Sequence, residues 1–135
     1  METLRWKTRI AVLWLLMAVA MSVHSIMAFM EPGMIEELMS GEMEGVALTS
    51  GMLIFLALFW LIPLWLAFIS ITLKGSANRW VNFVLGIVFT ILNIWHLVEH
   101  LVSVSPVQIL IVGSTVAATA LIAWYAWKWP KQESG

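Results

Sequence analysis

The sequence predicts an all-α fold: an integral membrane four-helix up-down bundle with both termini in the cytoplasm. Three observations predict it. Of 135 residues, 61% are hydrophobic and only 11% are charged, against about 45–50% and about 25% in an ordinary soluble domain. The apolar residues gather into four stretches, each long enough for the about 20 residues that a membrane-crossing helix needs. The seven basic residues all fall outside the stretches, at alternate boundaries between them. That composition excludes a soluble globular domain, a disordered chain and a nucleic-acid binder together. The net charge of −1 says less than the placement of the charges.

Span one covers about 10–30 and holds no charged side chain. Its Ala18-Val19-Ala20 looks like a secretory cleavage site, but the apolar run continues to Met30, too long for a signal core, so the span is expected to be retained. The loop 31–45 that follows is acidic, with Glu31, Glu36, Glu37, Glu42 and Glu44. In it Pro32-Gly33 reads as a turn. Met34, Ile35, Leu38 and Met39 then recur at helical spacing opposite Glu36 and Glu37. That predicts a short amphipathic helix, lying on the outer membrane surface or packed across the bundle mouth.

Span two, about 46–73, carries Pro63, which removes a backbone donor and is expected to kink the helix. Lys74-Gly75-Ser76 with Asn78-Arg79 reads as a tight turn. Span three, about 80–102, is interrupted only by His96, Glu99 and His100. Ser105-Pro106 is an outer turn, and span four covers about 107–127. Its small residues Gly113, Ala117, Ala118 and Ala120 are of the kind that let transmembrane helices approach closely. Backbone groups in lipid must be satisfied internally, so each span is a helix. The connections, about 15, 6 and 4 residues long, are expected to set sequential helices antiparallel and adjacent within one domain, 1–135.

Arg5, Lys7 and Arg9 precede span one, Lys74 and Arg79 separate spans two and three, and Lys128 and Lys131 follow span four. All seven therefore lie on one side, which the positive-inside rule assigns to the cytoplasm of a cell inner (plasma) membrane protein. Trp80, Trp124, Trp127 and Trp129 cluster at the same ends, as an aromatic belt does. The lipid bilayer is the partner this implies. A homo-oligomer or a membrane partner subunit is compatible with it, and nucleic acid is not.

The chain has no cysteine and no aspartate. Disulfides, thiolate metal sites and thiol nucleophiles are excluded, and so is Ser–His–Asp catalysis. There is no Gly-rich phosphate loop. A channel or transporter is disfavoured, because there is no inverted repeat and no charged path across the spans.

Ionisable residues within spans are costly and point to function. Here they are His24, His96, Glu99 and His100. From Arg9 to His24 is about 22 Å of helix and from Arg79 to His96 about 25 Å, so both histidines reach the outer third of the membrane. In span three Asn82, Gly86, Thr90, Asn93, His96 and His100 share one face, and in span one so do Met17, Met21, His24 and Ala28. Joining those faces sets His24 opposite His96 or His100.

Several chemistries fit the four residues. One is a hydrated or interhelical hydrogen-bonded cluster in a non-catalytic structural or accessory subunit. The other is a metal or cofactor site with nitrogens from His24, His96 and His100 and an oxygen from Glu99, Glu31 reaching down from the loop. Such ligands suit Zn, Fe, Mn or Cu(II). A di-iron site would need more interior carboxylates, so a mononuclear site is the better fit. Haem is a variant, with His24 and either His96 or His100 as axial ligands. His96-Leu97-Val98-Glu99-His100 is also the H-x-x-E-H string of one zinc-peptidase class, but that reading needs a third ligand and a substrate cleft. Finally, all nine methionines fall in the first 52 residues. Thioethers favour Cu(I), although methionine is also the adaptable filler of apolar contacts.

Two segments carry a resemblance. They are Ile69-Ser70-Ile71-Thr72-Leu73-Lys74 with Asn78-Arg79-Trp80-Val81-Asn82 and Gly86, and the tail Trp124-Tyr125-Ala126-Trp127-Lys128-Trp129-Pro130-Lys131. With Pro32-Gly33, Gly41-Glu42 and Pro63, the chain resembles a family of small four-span bacterial and archaeal membrane proteins of unknown function (DUF6326). The resemblance implies the four-span fold and carries no activity. The H-x-x-E-H segment lies outside the residues that carry it.

Overall fold

The computed structural model describes residues 2–103 and 105–129; Met1, Pro130 and the basic Lys131 lie outside the described residues. Four long helices make the body: α1 (Glu2–Phe29), α3 (Ser50–Thr72), α4 (Gly75–Val102) and α5 (Pro106–Lys128). All four are long and apolar enough to cross a membrane. Between α1 and α3 the chain forms a short helix α2 (Met34–Met39) and a hairpin of β1 (Glu42–Met43) and β2 (Val46–Ala47). The strands are antiparallel, with Glu42 opposite Ala47 and Met43 opposite Val46.

Local chemistry sets the boundaries. Helix α3 begins at Ser50, although the apolar run begins at Val46, because Val46 and Ala47 pair in the hairpin. Thr49, in extended backbone, then caps the helix by accepting from the Met52 amide at 3.1 Å. Helix α3 runs unbroken through the buried Pro63. Helix α4 starts at Gly75, and Asn78 Nδ2 staples the two-residue connection by donating to the carbonyls of Ser70 and Leu73, both at 2.8 Å. Helix α5 opens on Pro106, whose missing N–H costs nothing in a first turn.

Lateral contacts give the direction of each helix. Trp14 donates to Asn82 at 2.7 Å and His24 lies against His96, so α1 and α4 run parallel. Trp60 reaches Ser22, while Trp6 meets Tyr125 and His24 meets Gln108, so α3 and α5 both run the opposite way. The termini and the α3–α4 turn therefore share one end, the terminal end. The acidic loop and the α4–α5 turn share the other, the loop end.

Helix α5 packs along both α1 and α4, and α1 also packs along α3. The expected adjacency of every sequential pair holds only in part for α3 and α4. They are joined at the turn, where Ser70 Oγ donates to Asn82 Oδ1 at 2.9 Å, and touch again at the Phe59 and Phe89 rings, 5.4 Å apart. Elsewhere they meet little. The physical reason is the small-residue face of α4. A Cβ on Gly86 would stand 3.0 Å from the Ala123 backbone nitrogen, so α5 already occupies that face. The close approach is made by Gly86 and not by Gly113, which has open space beside it, nor by Ala117 and Ala120, which are exposed. The core lies toward the terminal half, around Ile10, Trp14, Met17, Leu66, Phe89 and Ile122. The outward faces are apolar over most of their length, as Leu110 at 74% and Trp65 at 63% exposed illustrate.

Candidate metal centre

The polar stripe of α4 turns inward: Asn82, Gly86, Asn93 and His100 are buried and Thr90 and His96 are half-buried, with Asn78, one turn earlier, buried as well. Met17, Met21 and His24 make the matching face of α1. With α1 and α4 parallel, these faces bring the three imidazoles to one level at the loop end. Ring centroids are 4.6 Å apart for His24–His96, 5.2 Å for His24–His100 and 4.8 Å for His96–His100. The His24 ring stands nearly perpendicular to the other two, at 88° to His96 and 73° to His100. His96 Nε2 and His100 Nε2 are 3.1 Å apart. Two nitrogens on one tetrahedral zinc, each bound at about 2.0–2.1 Å, would lie about 3.3 Å apart. The separation is thus close to that of two ligands of one ion.

His24 is oriented from behind by α5. Its Nδ1 hydrogen-bonds Gln108 Oε1, and Gln108 Nε2 donates to the His24 carbonyl at 3.1 Å. The second bond fixes which way the amide points, since a carbonyl only accepts. Oε1 therefore accepts from Nδ1–H, and Nε2 keeps its lone pair for the centre. Metal-binding histidines are held in this way by a partner on the far ring nitrogen.

The carboxylate nearest the three rings comes from the hairpin. Glu44 Oε1 stands 3.6 Å from His100 Nε2. One ligand atom each from His24, Glu44, His96 and His100 can be chosen so that all lie within 4.8 Å of one another, a group that could hold a metal ion. Glu44 has φ 53° and Gly45 φ 78°. They are the two central residues of a primed hairpin turn, which requires positive φ at both. Asn-Gly is the ordinary solution there, and a glutamate in that conformation is strained. The turn is braced by Glu37, whose Oε1 accepts from the Gly45 amide at 2.6 Å, and by the Leu48 amide donating to the Gly41 carbonyl at 2.8 Å.

The other acidic candidates sit elsewhere. Glu99 is exposed one helical position before His100 and accepts from Trp95 Nε1 at 3.0 Å. It is not in the group whose ligand atoms converge. Glu31 accepts from Ser105 Oγ at 2.8 Å and ties the loop to the α4–α5 turn. Of the loop methionines, Met30 and Met39 point outward at 71% and 82% exposure, while Met34 and Met43 line a cavity of about 430 Å³ between α1, α3 and α4. His24, Glu44 and His96 line the same cavity. His100 and Glu44 line a broad open groove on the loop-end face, with Glu31, Glu37 and Glu99. The cluster thus separates the two spaces. Haem does not fit it: axial imidazoles must be parted by the macrocycle, and rings in edge contact leave it no room.

Two residues of the site, Glu44 and Gln108, escape a reading of the sequence. Gln108 is signalled weakly by the spacing of Gln108, Thr115 and Thr119, which puts them on one face of a span otherwise read as scaffold; all three are buried. Glu44 had only Glu44-Gly45 between the dipeptides Glu42-Met43 and Val46-Ala47, a hairpin signal blurred by a residue type that rarely takes this turn.

The chain matches a family model described as a family of unknown function (DUF6326) over residues 2–134, the family its turn and tail motifs resemble. No curated protein and no solved structure matches it.

Proposed function

We propose that this chain, which belongs to the DUF6326 family of unknown function, is a multi-pass plasma-membrane protein that holds one divalent first-row transition metal in the outer half of the bilayer. His24, His96 and His100 supply nitrogen ligands and Glu44 supplies an oxygen. Glu99, expected among the ligands, takes the place of a neighbouring carboxylate held by Trp95. The observation that carries this reading is the convergence of three imidazoles from two helices with a carboxylate from a strained hairpin, all within 4.8 Å. The one-sided distribution of basic residues supports cytoplasmic termini.

Three neutral imidazoles and a carboxylate around a divalent ion leave one net positive charge, far cheaper to bury than two. The donor set suits Zn, Fe(II), Mn or Cu(II), with geometry rather than softness deciding among them. What the chain contributes is ligand position, set by α1, α4 and the hairpin, and the orientation of His24 by Gln108.

The alternative, a structural subunit whose histidines only hydrogen-bond one another, is favoured by the direct contact of His96 and His100 at 3.1 Å. Metal analysis of the purified protein separates the two. One equivalent of a transition metal, retained through dialysis and lost in His100→Ala and His24→Ala variants with unchanged helical content, supports the metal centre. Protein that takes up no such metal on incubation with the divalent series refutes it.

A further inference from the structure

The cavity beside the centre has properties that define an occupant. Its volume, about 430 Å³, falls among those of small-molecule sites, about 300–1,000 Å³. Its walls are apolar along most of their length, with Met21, Met52, Phe55, Leu56, Phe59 and Leu92 from three helices. Its polar lining gathers around the histidines: His24 with its neighbour Ser25, Glu44, His96 and Glu99. Met34, Leu38 and Val46 of the loop also line it and cover it at the loop end. Sideways it meets the bundle surface, where Phe55 is 50% and Trp95 71% exposed. The opening lies where α3 and α4 part, on the face turned to hydrocarbon if the helices cross a bilayer. A water-soluble molecule would have to pass an apolar rim, whereas a molecule already in the hydrocarbon would not.

We propose that this cavity seats the hydrocarbon chain of a membrane-resident single-chain amphiphile, whose oxygen-donor head group meets the metal held by His24, His96, His100 and Glu44. The inference rests on the metal centre proposed above. A chain moving from lipid into the cavity leaves one apolar medium for another, so the cavity contributes orientation rather than hydrophobic driving force. Chain and centre act together: the walls align the molecule and the ion fixes its head. Methionine suits such walls, because its unbranched thioether adapts to a flexible chain.

The test uses full-length protein in phosphatidylcholine nanodiscs, loaded with zinc, and two chelating probes: dodecanohydroxamic acid and acetohydroxamic acid. Leu92→Trp on α4 and Met52→Trp on α3 fill the cavity from opposite sides and leave the four metal-binding residues themselves in place. Each is expected to weaken the long-chain probe about tenfold and to leave acetohydroxamate affinity and zinc content unchanged. A terminally brominated long-chain probe is expected to quench tryptophan fluorescence in the unmodified protein, through Trp60 and Trp95, with the quenching lost on zinc removal. The inference is overturned if the filled variants hold zinc and bind the long chain like the parent protein, or if quenching is indifferent to zinc. Protein that binds no zinc at all overturns the metal centre, and this inference with it.

Discussion

Glu44→Asn separates what the hairpin requires from what the proposed metal centre requires. Glu44 lies at φ 53°, in the left-handed region, where a side chain other than glycine, asparagine or aspartate costs about 1–2 kcal/mol. Asparagine followed by Gly45 is the preferred pair for this turn, so the substitution relieves strain while removing the carboxylate 3.6 Å from His100 Nε2. In metal-free protein the hairpin should open less often. One to two kcal/mol is about 5–30-fold in an opening equilibrium, so exchange of the Leu48 amide, bonded to the Gly41 carbonyl, should slow by about that factor if local opening controls it. In the same protein the affinity for zinc, measured by chelator competition, should fall. Loss of groups that merely support a ligand costs about 10–100-fold, and loss of the ligand itself should cost at least as much. Glu44→Asp, which keeps the charge and tolerates the conformation, should retain part of the affinity. Unchanged metal affinity in Glu44→Asn, with unchanged or faster exchange at Leu48, would refute the reasoning by showing that the glutamate serves the turn and not the ion.

Gln108→Leu should weaken zinc binding about 10–100-fold by freeing the His24 ring, with helical content by circular dichroism unchanged; undiminished affinity would show that His24 needs no support from α5. Gly86→Val forces a side chain against the Ala123 backbone, 3.0 Å from its first carbon, and should destabilise the fold by about 1–3 kcal/mol, read as earlier thermal unfolding in detergent. Trp14→Phe removes the donor to Asn82 Oδ1, which still receives Ser70 Oγ, and leaves a void at a fully buried site, so the loss, read as earlier thermal unfolding in detergent, should exceed the about 0.6 kcal/mol average for an interhelical hydrogen bond in membranes by the cost of that void. The chain contains no cysteine, so single-cysteine labelling reports orientation directly: in intact cells an impermeant maleimide should react with Glu36→Cys and spare Ser76→Cys, and the reverse pattern would invert the topology.

The amino-acid order alone determined the helical body, because four apolar runs, interrupted by a single carboxylate at Glu99, leave a backbone no other way to satisfy itself away from water. It also determined which faces turn inward. The Asn82–Asn93–His100 stripe and the Met17–Met21–His24 face were legible by period, since a helix repeats its face every three or four residues. The level match of His24 and His96 followed from helical rise and the parallel course of α1 and α4. Tertiary structure decided the rest. Which helices neighbour one another depended on Gly86 admitting the Ala123 backbone, a fit between two surfaces that neither segment encodes alone. That fit drew α4 toward α5 and left the cavity between α3 and α4. The converging carboxylate was likewise decided in three dimensions. Glu99 shares the H-x-x-E-H string with the histidines, yet its position on the helix turns it to Trp95 at the surface. Glu44 is far away in the chain but is delivered to the rings by a turn whose backbone conformation the residue type does not favour. Periodicity reports which side of one helix is polar; the meeting of side chains from three separate elements is set by how those elements pack.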